Sequence, residues 1–214
     1  MKKWEDLIRL KESGLVAVIR KPKQSQINSI AEALVNGGVG ALEITVDTPG
    51  ALQMIHQIKE TYGDKVLVGA GTVLDAISAK GAIDAGADFI FSPIFDIETI
   101  QITNRYGRIS IPGVMTPTEV VQAYSAGADL LKVFPGDALG IDYIKNLMGP
   151  LPHIPMMPTG GVSLDNVEQF IKSGAVAVGA GGSLVDKKAI EAGRYEDLTQ
   201  IAAEFTKRIQ NARS

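Results

Sequence analysis

The chain contains no cysteine, only two histidines, one tryptophan and few aromatic residues, 6% in all. Without thiols there is no disulfide, no thiolate nucleophile and no cysteine-ligated metal. His56 and His153 alone do not make a histidine-rich metal site, so neither a metal nor a cofactor is expected. Charge of one sign is scarce as well. The 21 Lys and Arg against 24 Asp and Glu give a formal net charge of -3, with no basic stripe of the kind nucleic acid requires. Long apolar runs are missing too: Met1 to Gly14 is charged and amphipathic, with nothing long enough for a signal peptide or a membrane span. A cytoplasmic protein with no nucleic-acid or membrane partner is the expectation.

What is abundant is glycine, 23 of 214 residues in a chain that is 45% hydrophobic, and that length suits one large α/β core. Trp4, Leu7, Ile8 and Lys11 recur at helical spacing and predict an N-terminal helix ending at Gly14. Eight strand-like runs follow, at 15–20, 41–46, 66–71, 88–92, 109–114, around Lys132, at 154–158 and at 176–180. Amphipathic helical stretches alternate with them. Thr116-Pro117-Thr118-Glu119 reads as a capping box with proline at the first helical position. A last amphipathic stretch carries Leu198, Ile201, Ala202, Phe205 and Ile209. Four helix-to-strand junctions look alike, at Gly37-Gly38, Gly86, Gly127 and Gly174, each a glycine placed where a short αβ turn needs one. This internal repeat predicts one domain over residues 1–214, a (β/α)8 TIM barrel with an additional N-terminal helix. A doubly wound open sheet is the competing arrangement, disfavoured because no strand is polar enough to be an edge.

Lys132 is the awkward residue, set in the apolar run from Ala128 to Gly136. Leu131 and Val133 point one way from this strand, while Leu130, Lys132 and Phe134 point the other. A desolvated lysine keeps some of the neutral amine that forms a Schiff base with a carbonyl. Taken alone, it is at least as well explained as a structural lysine that snorkels or pairs with a carboxylate. On the second strand Leu42, Ile44 and Val46 share the outer face and Ala41, Glu43 and Thr45 the inner one. Glu43 and Lys132 are therefore both predicted to point inward. For Glu43 the competing role is a plain ion pair with Lys132. Arg20, Thr72, Ser92-Pro93 and Thr159 gather at C-terminal strand ends, where barrel enzymes keep their chemistry. The glycine turns Gly160-Gly161 and Gly181-Gly182-Ser183 follow the last two strands and suit a phosphate held by backbone N–H groups and the Ser183 hydroxyl.

Glu43-Ile44-Thr45, Gly69-Ala70-Gly71-Thr72-Val73-Leu74, Ser92-Pro93, Pro112-Gly113-Val114-Met115-Thr116-Pro117, Lys132-Val133-Phe134-Pro135 and Pro158-Thr159-Gly160-Gly161 resemble, in that order, segments of the 2-keto-3-deoxy-6-phosphogluconate / 4-hydroxy-2-oxoglutarate aldolase family. The likeness covers almost the whole chain. It implies a metal-independent class I aldolase on a (β/α)8 barrel, usually a homotrimer. Such an enzyme splits a small keto acid, a 2-keto-3-deoxy-6-phospho sugar acid, into pyruvate and glyceraldehyde 3-phosphate. 4-Hydroxy-2-oxoglutarate, giving pyruvate and glyoxylate, is a second substrate on this resemblance. Carried over, Lys132 is the Schiff-base lysine and Glu43 the general acid/base. Thr72, Pro93 and Phe134 surround the pyruvate moiety, with Arg20 and Thr159 also binding substrate, and Gly160, Gly161, Gly181, Gly182 and Ser183 hold the distal phosphate. Two positions depart from the pattern. Val46-Asp47-Thr48 stands where many members read Leu-Arg-Thr, with the arginine binding the substrate carboxylate, and Ile94 replaces a glycine after Ser92-Pro93. The alternatives are another phosphate-binding barrel, an isomerase or epimerase with Lys132 purely electrostatic, and a non-catalytic barrel that binds a sugar phosphate.

Overall fold

Nine short strands, every hydrogen-bonded pair parallel, carry the fold in the computed structural model, which describes residues 1–214. They are β1 (Leu15–Ile19), β2 (Ala41–Thr45), β3 (Leu67–Gly71), β4 (Phe89–Phe91), β5 (Ile109–Ile111), β6 (Gly113–Val114), β7 (Leu131–Val133), β8 (Met156–Pro158) and β9 (Val178–Ala180). The first sheet is a curled α/β sheet of six, in the order β5-β4-β3-β2-β1-β9, and the second has three, β6-β7-β8. The division falls at Pro112, which has no N–H to donate; it splits the run expected at 109–114, so the Lys132 strand is β7. Across the break Asp129 N–H donates to Ser110 O and Lys132 N–H to Pro112 O. At the other edge Thr159 bridges Gly179 in parallel.

Alternation along the strands separates two cores. Leu42, Ile44, Leu131, Val133 and their equivalents face the helices in a cluster of 50 buried residues. Val16, Val18, Ala41, Leu67, Phe89, Phe91, Leu130 and Met157 belong to a separate cluster of 13. One cluster drawing on opposite edges of both sheets requires the strands to curl around it. The repeated junction glycines have the left-handed φ their turns require, 88° at Gly38, 103° at Gly86, 96° at Gly127 and 106° at Gly174. The capping box at Thr116 is present: Thr116 N–H donates to Glu119 Oε2 at 2.7 Å and Glu119 N–H to Thr116 Oγ1 at 3.3 Å.

The N-terminal helix (Lys2–Ser13) ends at Gly14 as its sequence predicts, but buries a different face. Trp4 and Ile8 are exposed, whereas Asp6, Leu7 and Leu10 are buried. Leu7 and Leu10 join the inner cluster, so the helix lies across the N-terminal strand ends. Its charged flank enters a network there. The Asp88 carboxylate, fully buried just before β4, accepts from Val68 N–H at 3.1 Å and from Lys59 Nζ at 2.7 Å. Lys2 and Arg108 each stand 3.7 Å from its other oxygen. Removing that carboxylate leaves Arg108 and the Val68 N–H without their counterpart, and Lys59 and Lys2 with only Asp64 and Asp6, so Asp88→Ala should cost about 3 kcal/mol in urea denaturation and Asp88→Asn less. A loss of well under about 1 kcal/mol would show that water already screens the cluster.

Candidate active site

Glu43 reaches the interior because β2 turns Ala41, Glu43 and Thr45 away from the helices, and it is only 1% exposed. Space for it comes from β3. Gly69 pairs with Glu43 in register and Gly71 lies two residues further along; a Cβ on Gly71 would overlap the Glu43 carboxyl, just as one on Gly69 would overlap the Phe89 ring. Lys132 enters from β7, between Gly113 of β6 and Met157 of β8, and is 5% exposed. Its Nζ lies 4.3 Å from the centre of the Phe91 ring and 4.5 Å from that of Phe134.

The two charges perturb each other in a dry interior. Burial pushes the Glu43 carboxyl up to about 7, against the pull of Lys132 and Arg20, and Asp47 pushes it further the same way. Burial lowers the Lys132 ammonium, Glu43 opposes that shift, and Arg20 adds to it. Lys132 acts on Glu43 through space, and Glu43 Oε2 has no hydrogen-bond partner. Thr159 Oγ1 is likewise buried and unpartnered. Orphaned polar atoms are rare in protein interiors, and two beside one lysine mark a place where a reactant can supply what is missing.

Above this pair opens a cavity of about 620 Å³. Nine of the twelve residues singled out from the sequence line it: Arg20, Lys132, Phe134, Thr159, Gly160, Gly161, Gly181, Gly182 and Ser183. The Ser183 hydroxyl donates to Val162 O at 2.5 Å, tying the two glycine turns together. Three residues stand apart. Glu43 is buried outside the lining, Pro93 lines an adjoining pocket of about 290 Å³ whose wall it shares with Phe134, and Thr72 lines neither. Thr72 instead has φ 57°, a strained value for a β-branched residue and one that concentrates near functional sites. Phe91 was not among the twelve. Its position on the same face as Phe89, two residues along β4, was the available signal.

The family described as "Aldolase: KDPG and KHG aldolase" matches residues 7–201. The chain belongs to the KDPG and KHG aldolase family. Among its relatives, 2-dehydro-3-deoxy-6-phosphogalactonate aldolase of Escherichia coli is 36% identical over 200 residues, covering 92% of this chain and 95% of that one. A 2-dehydro-3-deoxy-phosphogluconate aldolase of Pseudoalteromonas atlantica is 34% identical over 174 residues, covering 81% and 80%. A solved structure of KDPG aldolase from Legionella pneumophila, with pyruvate captured at low pH as a covalent carbinolamine intermediate, superimposes with a TM-score of 0.86 at 29% identity. That match covers 92% of this chain and 96% of that one.

In this family member the departure at Asp47 has a local explanation. Asp47 lies exposed in the turn after β2, and its carboxylate is held below the usual range first by Thr45 and then by Lys21, whose Nζ lies 3.4 Å away. Lys21 has φ 51° and donates its N–H to Thr48 Oγ1 at 3.1 Å, so the loops after β1 and β2 are tied together beside Arg20. For Glu43 the electrostatics give a direct expectation. Side-chain ¹³C NMR of labelled glutamate should find one carboxyl titrating near 7, absent in Glu43→Gln. Because Lys132 pulls that carboxyl down, Lys132→Met should move its midpoint higher. A midpoint in the ordinary range near 4.3 would mean that water reaches the carboxyl.

Proposed function

We propose that the protein is a metal-independent, Schiff-base aldolase that cleaves a 2-keto-3-deoxy-6-phospho sugar acid to pyruvate and glyceraldehyde 3-phosphate. The observation that carries this reading is the pairing of a buried lysine with a glutamate pushed up to about 7, beside a cavity bordered by two glycine turns. The neutral Lys132 amine adds to the C2 ketone, and Glu43 protonates the resulting oxyanion. Now a carboxylate, Glu43 takes the proton that the added nitrogen sheds and delivers it to the carbinolamine hydroxyl, which leaves as water and gives the iminium ion. Glu43 next takes the proton from the C4 hydroxyl as the C3–C4 bond breaks. The bonding electrons pass into the iminium, which becomes an enamine, and the aldehyde departs. Protonation at C3 and addition of water to the regenerated iminium release pyruvate and the free amine. A carboxyl near 7 suits both the giving and the taking of a proton at neutral pH.

The supporting frame is an eight-stranded (β/α)8 barrel, with β5 and β6 as two halves of one strand, forming a single domain over residues 1–214. Phe134 and Thr159 border the keto acid, with Thr72 and with Pro93 behind Phe134. Arg20 takes the carboxylate, and Gly160, Gly161, Gly181, Gly182 and Ser183 hold the phosphate. A cytoplasmic homotrimer is the form this reading favours, with 4-hydroxy-2-oxoglutarate as a second substrate. Both a galactonate-derived and a gluconate-derived acid are substrates named for relatives, so they belong in one assay panel.

Borohydride reduction in the presence of pyruvate should fix a three-carbon adduct on Lys132, located by mass spectrometry; a protein recovered unmodified at that residue would sink the proposal. Glu43→Gln should lower kcat by about a hundredfold or more while still allowing slow trapping. Asp47→Arg places a second cation beside Arg20; with Arg20 already taking the carboxylate, turnover of the six-carbon phosphorylated acids should be unchanged or lower. Faster turnover would show that Arg20 does not fill that role and that position 47 does.

A further inference from the structure

We infer that Phe91 is a positioning residue for the reaction: with Phe134 it clamps the Lys132 amine between two aromatic ring faces inside the barrel. Phe91 is fully buried on β4. Its ring centre lies 4.3 Å from Nζ, closer than that of Phe134 at 4.5 Å. Both distances are well inside the reach of a cation–π contact, and the contact strengthens where water is absent. Phe134 follows the lysine by two residues and moves with its own strand. Phe91 comes from the other sheet, so only the curled fold brings it to the amine.

The clamp acts on charge as well as place. The charged groups facing Nζ are Glu43 from β2 and Arg20 from the loop after β1; the flanking strands offer only Gly113 and Met157 at its register. Two ring faces favour the charged nitrogen, as ammonium in the resting protein and, on the Schiff-base reading above, as iminium in the intermediate. They favour the neutral carbinolamine much less. Burial alone would drive the nitrogen neutral. The rings thus offset part of the burial penalty at the atom where the reaction needs positive charge, without adding a hydrogen-bonding group that would compete with Glu43.

Replacing Phe91 by mono-, di- and trifluorophenylalanine weakens the ring quadrupole at nearly constant shape. The pH dependence of Lys132 acetylation by trace acetic anhydride, read by mass spectrometry, reports the amine itself. Its midpoint should fall stepwise along the series, by about half to one and a half pH units in total, because the ammonium loses support. The rate of forming the iminium, read by single-turnover borohydride trapping at a pH well above the midpoint where the amine is already neutral, should fall about two- to tenfold over the same series. Phe91→Leu, compared with the series by thermal unfolding, separates lost packing from lost charge stabilisation. A midpoint that stays put along the fluorine series would overturn the clamp, even if Phe91→Leu destabilises the fold. Failure of wild-type protein to trap pyruvate would instead remove the Schiff-base reading, while the acetylation midpoint still decides the clamp.

Discussion

Two opposite charges buried in one apolar interior, near enough to feel each other but not hydrogen-bonded, are the constraint from which the rest of the structure follows. A direct ion pair would satisfy Glu43 and Lys132 and leave both inert. Held apart, each is destabilised in its charged form: burial drives the carboxyl up and the ammonium down, and each partially restrains the other. An isolated pair of this kind is costly to keep. The surroundings show where the cost is offset, in a core of 50 buried residues between sheet and helices and a second core of 13 inside the sheet.

The inner core is built by matching large side chains to missing ones. Glycines occupy two of the three inward positions on β3, after Leu67, and Phe89 and Glu43 fill the space that Gly69 and Gly71 leave. Gly113 stands beside Lys132 on one side. Below them Leu7 and Leu10 of the first helix close the floor, held by the charges around Asp88 and Asp6. Because interiors pack as densely as molecular crystals, this arrangement leaves Nζ little freedom. The main cavity opens at the C-terminal strand ends, where loop residues line it together with Val18, Ile19 and Lys132 of the strands.

Much of this was legible in the order of residues. The inward phase of Glu43 and Lys132 followed from strand alternation alone, and the glycine junctions and the Thr116 capping box followed from local turn chemistry. What could not be read depended on contacts between distant segments. Trp4 and Ile8 looked like the buried face of the first helix, but the floor of the inner cluster selects Leu7 and Leu10. Asp6 is buried because Lys2 and Arg9 accompany it. Phe91 could be placed on the inner face by its spacing from Phe89, but its contact with Lys132 depends on the second sheet. Thr72 read as a plain strand end, and its left-handed backbone is invisible in a sequence that carries no glycine there.

The mouth of the cavity illustrates how one charge changes the meaning of its neighbours. Arg20 and Lys21 are adjacent in sequence and both line the cavity, yet they are not equivalent. Asp47 engages Lys21, and the left-handed backbone at Lys21 aims consecutive side chains differently from an extended strand. With Lys21 engaged by Asp47, Arg20 is the cation at the mouth whose field reaches Glu43, Lys132 and Asp47, beside the stronger pull of Lys132 on Glu43 and of Lys21 on Asp47. A carboxylate at position 47 also repels an anion directly, which on the proposed reading favours the Arg20 side of the mouth over the β2 loop. The same carboxylate pushes Glu43 upward, which couples the choice of where an acid binds to the protonation of the group that would act on it.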